Sequence, residues 1–138
     1  MIVVDTNVIA YLLISGQYPE SARAALRRDA EWAAPMLWRS EFRNVLALYL
    51  RNRELSFRQA IALQETGEEL LAGREHIVAS PEVLTLASKS GRSAYDCEFV
   101  AVARQLSTRV ITSDRALLES FPADTISLAT FASDGADV

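Results

Sequence analysis

Short, mostly apolar runs alternate with stretches of helical periodicity along this chain, and this alternation restricts its fold more than any other feature. Each run is long enough only for a strand: IVV (2–4), EWAAP (31–35), HIVAS (76–80), RVIT (109–112) and TISL (125–128). Near-continuous apolar strands that alternate with helices are typical of a parallel sheet covered on both faces. The sequence therefore predicts an α/β domain with a central parallel sheet of four to five strands, the last at an edge.

Helices are predicted between these runs from periodicity and from terminal residues. Pro19 suits the first turn of one helix, Ser56 is a plausible N-terminal cap of another, and Gly16 and Gly73 are expected to end helices. The predicted helices cover residues 7–13, 19–29, 36–52, 56–72, 94–106 and 115–120, and one more begins at Pro81.

One domain, residues 1–132, accounts for almost all of the 138 residues, and the polar segment 133–138 is expected to be a flexible tail. A single cysteine, Cys97, excludes an internal disulfide framework and fits a reducing compartment. No apolar run approaches the roughly 20 residues that cross a membrane. We therefore expect a cytoplasmic protein.

The net charge of −4 argues against a general polyanion binder, although many arginines lie in the first half of the chain.

Two carboxylates follow predicted strands directly. Asp5 ends the first strand, and Asp114 comes just after the fourth. Functional residues of open parallel sheets gather at the carboxyl ends of the strands, so both side chains are expected at the same rim. The alternative for each is a structural role as the cap of the helix that follows.

Two more carboxylates lie on predicted helices next to strands. Glu41 has no basic residue three or four positions away, so no helical ion pair explains it, although it could turn outward to solvent. Asp96 lies in the first turn of its helix, where an acid suits the helix dipole and where Arg92 could pair with it.

Four converging carboxylates would need a cation, because like charges raise each other's pKa. His76 and Cys97 are each alone, which excludes a His/Cys zinc cluster, whereas Mg²⁺ and Mn²⁺ favour oxygen ligands. A divalent metal held by oxygens suits phosphodiester chemistry, since it polarises the phosphoryl oxygen and activates a water for attack.

Three separated segments resemble successive motifs of the PIN domain family, in the family's order and over nearly the whole chain. They are MIVVDTNVIAYLL, WAAPMLWRSEFRNVLALYL and SAYDCEFVAVARQLSTRVITSDRALL. In length and composition the chain resembles the VapC toxins of prokaryotic type II toxin–antitoxin pairs. The resemblance implies a three-layer PIN fold and metal-dependent endonucleolytic cleavage of RNA.

The resemblance also implies the residues of a Mg²⁺ or Mn²⁺ site. Its acids would be Asp5, Glu41, Asp96 and Asp114. Asp5 and Asp96 would bind the metal directly, while Glu41 and Asp114 would complete the site or orient metal-bound water. Asn7 and Thr112 would form hydrogen bonds with these acids and so help to orient them.

A homodimer and inhibition by a VapB-type antitoxin, whose C-terminal segment covers the acids, are further implications of the resemblance. The antitoxin could dock on apolar residues that a small sheet does not need, and core or dimer packing is the alternative for these residues. They are Trp38, Phe42, Leu46, Tyr49, Leu50 and Phe57.

Two other functions compete with a ribonuclease toxin. A phosphoacceptor receiver domain also has acids at a strand rim, but it needs a lysine after a late strand, and the only lysine, Lys89, ends no predicted strand. A PIN-like protein that binds nucleic acid or a partner without cutting remains open at this stage.

Overall fold

Strands and helices alternate through the computed structural model, which describes residues 1–14 and 16–134. The strands in this part of the chain are β1 (Ile2–Val4), β2 (Trp32–Pro35), β3 (Glu75–His76), β4 (Val110–Thr112) and β5 (Thr125–Ser127). Its helices are α1 (Thr6–Leu13), α2 (Pro19–Arg28), α3 (Leu37–Arg51), α4 (Phe57–Leu70), α5 (Ser80–Ser90), α6 (Ala94–Gln105), α7 (Arg115–Ser120) and α8 (Leu128–Asp134).

The strands form one parallel sheet in the order β3-β2-β1-β4-β5, with helices flanking it. Val3 of the central strand pairs with Ala33 of β2 on one side and with Val110 of β4 on the other. This confirms the predicted α/β class, the parallel sheet and the edge position of the last strand. Because β1 and β4 are neighbours, their carboxyl ends lie side by side, which positions Asp5 beside the turn that carries Asp114.

The core lies between the sheet and the helices that pack on it. The side chains of Trp32 and Trp38 are fully buried there, and α6 contributes a buried face that includes Phe99 and Val102. Since α6 packs on β1, β2 and β4, its first turn lies near the strand ends. Among the described residues, no helix is long and apolar enough to span a bilayer.

Local capping sets the helix boundaries that matter for these positions. Ser56 and Gln59 form a complete capping box at the start of α4, which confirms Ser56 as a cap. Ser93 Oγ accepts a hydrogen bond from the Asp96 backbone amide at 3.1 Å and thereby starts α6. Most predicted helices agree with the structure to within one or two residues.

The third strand is shorter than predicted. The expected strand 76–80 is only Glu75–His76, and the side chain of Ile77 is 87% exposed. This strand lies at the edge of the sheet, and α5 already begins at Ser80 with Pro81 in its first turn, so the chain leaves the sheet early. The apolar residues Ile77 and Val78 therefore lie in a connection.

Helix α8 is absent from the sequence prediction. Leu128, assigned to a strand, begins α8 instead, and it is buried together with Phe131 one turn later. The guanidinium of Arg28 lies 4.3 Å from the centre of the Phe131 ring and holds the helix against α2. Ser133 and Asp134 of the expected tail are thus helical, and residues 135–138 lie outside the described residues.

Candidate active site

Asp5 and Asp114 are linked through one buried hydroxyl at the carboxyl ends of β1 and β4. Thr112 Oγ1 donates to Asp5 Oδ2 at 2.8 Å and accepts from the Asp114 backbone amide at 3.0 Å. The Thr112 side chain is fully buried, so its hydroxyl keeps a fixed orientation. This is the contact expected of Thr112 from the sequence.

Asp114 also caps α7, so its expected structural role is present. Its Oδ1 accepts hydrogen bonds from the backbone amides of Ala116 and Leu117 at 2.9 and 3.2 Å. Its Oδ2 has no hydrogen-bond donor among residues 1–14 and 16–134. One carboxylate oxygen of Asp114 therefore caps a helix, and the other has no hydrogen bond within the described residues.

Glu41 reaches the same region from α3. Thr6 Oγ1, at the start of α1, donates to Glu41 Oε1 at 2.7 Å, and Thr6 is buried. In the described part of the chain no basic side chain pairs with Glu41, which is only half-buried. The sequence prediction missed Thr6, because its only local signal was that a hydroxyl after Asp5 could cap a helix.

Asp96, at the start of α6, forms an ion pair. Arg92 Nη2 lies 3.2 Å from Asp96 Oδ2, as the four-residue spacing suggested, and both side chains are about one-third exposed. The Nε atom of Arg92 is buried and has no hydrogen-bond partner in the described structure. Asp96 is therefore already held beside a cation.

Electrostatic coupling connects the four acids. Burial raises the pKa of Asp5 above its ordinary value, and the charges of Asp114 and Asp96 raise it further, although the Thr112 hydrogen bond opposes this. Burial likewise raises the pKa of Glu41 against the effect of its hydrogen bond. Asp5 and Asp96 add to that increase, so the structure brings all four predicted acids within electrostatic reach of this site.

A fifth acid, Glu98, belongs to the same environment and was missed from the sequence. Its charge contributes to the raised pKa of Glu41, and burial raises its own pKa. It lies two residues after Asp96 on an otherwise apolar part of α6, which is the only signal the sequence offers.

Asn7 does not make the predicted side-chain contact. Its side chain is exposed and forms no hydrogen bond with an acid in the part of the chain that the structure describes. Only its backbone amide acts on the site, by lowering the pKa of Asp5 slightly. The interpretation failed because Asn7 is the second residue of α1 and points away from the core.

The chemistry of these donors fits a hard divalent cation, because all are carboxylate oxygens that raise one another's pKa, and in the described part of the chain only Asp96 among the four forms an ion pair, with Arg92. The carboxylates are, however, not gathered tightly around one point. Within residues 1–14 and 16–134, no three His, Cys, Asp or Glu side chains lie close enough together to form a metal cluster as they stand. A bound cation would therefore have to draw the carboxylates together.

Comparison with known proteins agrees with this architecture. Residues 2–120 match the sequence profile described as the PIN domain. The chain belongs to the PIN domain family. This PIN domain is also 32% identical over 125 residues to "Ribonuclease VapC3" from Pyrobaculum aerophilum, a match that covers 88% of this chain and 95% of that protein.

Solved structures share the fold of this PIN domain. The crystal structure of PAE2754 from Pyrobaculum aerophilum matches with a TM-score of 0.77 at 20% identity, over 99% of this chain and 89% of that one. A toxin–antitoxin complex from Klebsiella pneumoniae contains a chain that matches with a TM-score of 0.62 at 15% identity, over 93% and 98% of the two chains.

Proposed function

We propose that this PIN domain is a VapC-type toxin that hydrolyses RNA phosphodiester bonds with the help of Mg²⁺ or Mn²⁺. The observation that carries the proposal is the coupling of Asp5, Glu41, Asp96 and Asp114 at the carboxyl ends of adjacent parallel strands. The likeness to a protein named as a ribonuclease supports it.

The acids fall into two pairs in the proposed reaction. Asp5 and Asp96 would bind the metal, while Glu41 and Asp114 would complete the site or orient the attacking water. When bound, the metal polarises a phosphoryl oxygen and lowers the pKa of water. Thr112 and Thr6 fix the orientation of Asp5 and Glu41 through their hydrogen bonds.

Glu41 is the residue suited to receive a proton from the attacking water. Burial raises the pKa of its carboxyl group, which makes it a better base than a solvated glutamate. The hydrogen bond from Thr6 occupies Oε1 at 2.7 Å, so Oε2 is the oxygen that would accept the proton.

An antitoxin is the proposed inhibitor of this activity. A groove of about 730 Å³ runs between the carboxyl ends of α1 and α3 and the side of α4, and its apolar lining includes Leu13, Leu55 and Leu63. An amphipathic helix suits such a lining. A neighbouring cleft of about 360 Å³ extends from Tyr49, which lines both, to Asn7 beside the acids.

The groove differs from the one expected from the sequence. Trp38, Phe42 and Leu46 are core residues with at most 4% exposure, so core packing is the correct interpretation for them. Tyr49 does line the groove, whereas Phe57 is exposed outside it.

The proposal also includes a homodimer that acts in the cytoplasm. The VapC resemblance supports the homodimer, and the buried free thiol of Cys97 is in keeping with the cytoplasm.

The decisive test compares cleavage of single-stranded and structured RNA by the wild type, by Asp5→Ala and by Glu119→Ala. Glu119 is an exposed acid on α7 that has no ion pair in the described structure, so it controls for loss of a negative charge. We expect metal-dependent cleavage by the wild type and Glu119→Ala, and loss of cleavage in Asp5→Ala, because the carboxylate proposed to bind the metal is gone.

Equal cleavage by the wild type and Asp5→Ala would assign the activity to a contaminant.

One observation favours a second candidate function, which is binding of RNA or a partner protein without cleavage. The four carboxylates do not lie close enough together to form a metal cluster as they stand. RNA binding without cleavage in Mg²⁺ or Mn²⁺ would favour that candidate.

A further inference from the structure

A small cleft opens directly beside Asp114, on the side of the sheet's rim away from the groove. It has a volume of about 270 Å³ and lies between α2, α7 and α8. Leu118 and Leu128 supply its apolar part, while Ser113, Tyr18 and Arg115 supply polar and aromatic groups. The volume is just below the range typical of drug-sized ligands, which suits a single planar ring with its substituents.

Tyr18 is held in an unusual backbone conformation at this cleft. Its φ of 51° and ψ of 36° are left-handed, a region that a bulky residue rarely adopts, and it precedes the first residue of α2. The side chain nevertheless remains 57% exposed. Such strain is retained where the structure needs a side chain in one particular place.

Contacts with Tyr11 fix the Tyr18 ring relative to the acids. The two rings pack edge to face, with centroids 5.2 Å apart and planes at 74°. The hydroxyl of Tyr11 hydrogen-bonds Ser113 Oγ at 2.9 Å, and Ser113 lies between Thr112 and Asp114. The exposed Tyr18 ring is therefore connected to the segment that carries Asp114 through two contacts, the ring packing with Tyr11 and the hydrogen bond between Tyr11 and Ser113.

Arg115 supplies an uncompensated positive charge at the same cleft. It is exposed, and no carboxylate in the described part of the chain forms an ion pair with it, although Asp114 is its neighbour. As the first residue of α7 it places a cation at the positive end of a helix dipole, which does not favour helix stability. Its guanidinium is therefore free to contact an anionic ligand at the cleft.

We propose that this cleft binds one nucleotide of single-stranded RNA next to the scissile phosphate, with its base on the Tyr18 ring and its phosphate on Arg115. The inference rests on the proposed nuclease function and adds a substrate subsite to it. Aromatic rings stack on any exposed base, and arginine pairs with phosphate through two parallel hydrogen bonds. A paired strand would keep its bases inside the helix, so the subsite selects unpaired RNA.

The first test is RNA affinity, measured by fluorescence anisotropy of a labelled single-stranded RNA of about 12 nucleotides, with Ca²⁺ in place of Mg²⁺. We expect Tyr18→Ala to weaken binding about tenfold and Tyr18→Phe to bind like the wild type, because only the ring is needed. Phe57→Ala is the matched control, since Phe57 is a 72% exposed aromatic on α4, which contributes no residue to the cleft.

Salt dependence separates the phosphate contact from the stacking contact. Arg115→Gln should reduce the slope of log affinity against log salt by about 0.7, the value for one phosphate contact on a single strand. Tyr18→Ala should leave the slope unchanged. Arg58→Gln, the same charge change at an exposed arginine on α4, should leave both slope and affinity unchanged.

The outcomes distinguish this inference from the function on which it rests. If the wild type binds and cleaves RNA but Tyr18→Ala and Arg115→Gln match it in affinity and slope, the subsite is refuted and the nuclease stands. If the wild type neither binds nor cleaves any RNA, both fall. If Tyr18→Ala changes the protein's mass in solution without changing RNA affinity, the cleft is a self-association surface and the subsite is refuted.

Discussion

Replacement of Thr112 by valine should separate metal binding from fold stability. Valine matches the shape of threonine but removes the hydroxyl that donates to Asp5 Oδ2 at 2.8 Å and accepts from the Asp114 amide at 3.0 Å. Loss of such a supporting hydrogen bond typically lowers metal affinity 10- to 100-fold. We therefore expect Mn²⁺ binding to Thr112→Val, measured by calorimetry, to weaken by about 1.4 to 2.7 kcal/mol.

The pH dependence has a definite sign. Burial raises the pKa of Asp5, and the Thr112 hydrogen bond lowers it, so the substitution should raise that pKa further. At a given pH, Asp5 is then protonated in a larger fraction of Thr112→Val molecules than of wild-type molecules, and Mn²⁺ must displace that proton. The loss of Mn²⁺ affinity relative to the wild type should therefore be largest at low pH and should shrink as the pH rises.

Thr125→Val is the matched control. Thr125 is also a buried strand threonine, and its Oγ1 donates to the Phe121 carbonyl at 2.7 Å, far from the acids. Thr112→Val removes two hydrogen bonds and Thr125→Val removes one, so we expect losses of about 2 and about 1 kcal/mol of fold stability, but only Thr112→Val should weaken metal binding. Indistinguishable Mn²⁺ titrations for the two variants would refute the assignment of Thr112 to the metal site.

Two further substitutions test other charged groups. Glu75→Gln removes the carboxylate that accepts hydrogen bonds from Trp38 Nε1 and Arg39 Nε at 2.7 and 2.6 Å, so thermal unfolding should show a loss of about 2 kcal/mol. The Arg39 hydrogen bond lowers the pKa of Glu75, so this loss should be complete above about pH 4.5 and fade at lower pH; a pH-independent difference would contradict it. Arg92→Gln removes the cation beside Asp96 and should tighten Mn²⁺ binding up to about fivefold in calorimetry, whereas weaker binding would show that Arg92 supports the site.

The sequence was sufficient for features that depend on local pattern and strand order. Asp5 and Asp114 could be placed together because each follows an apolar run, and parallel strands end at one rim. Asp96 could be assigned to a first helical turn because the helical periodicity begins at Ala94, and the structure shows that Ser93 caps this helix. These inferences need only the direction of the strands and the start of a helix.

Features that depend on how distant elements pack could not be predicted. The hydrogen bond from Thr6 to Glu41 joins residues 35 positions apart, and it exists only because α1 packs on α3. Glu98 could be recognised only from its effect on the pKa of Glu41, which depends on how α3 and α6 come together. Helix α8 was missed because Leu128 was read as the end of the strand TISL, of which only Thr125–Ser127 is a strand, and because the contact of Phe131 with Arg28 is made across the fold.

The central position of β1 has a consequence for synthesis of the protein. This strand is synthesised long before β4, one of its two neighbours in the sheet, which begins only at Val110. A nascent chain that ends before Asp96 holds Asp5 and Glu41 without the other two acids. The four carboxylates can therefore assemble only after Asp114 has left the ribosome, and a nascent chain that stops short of it never holds the complete set of acids.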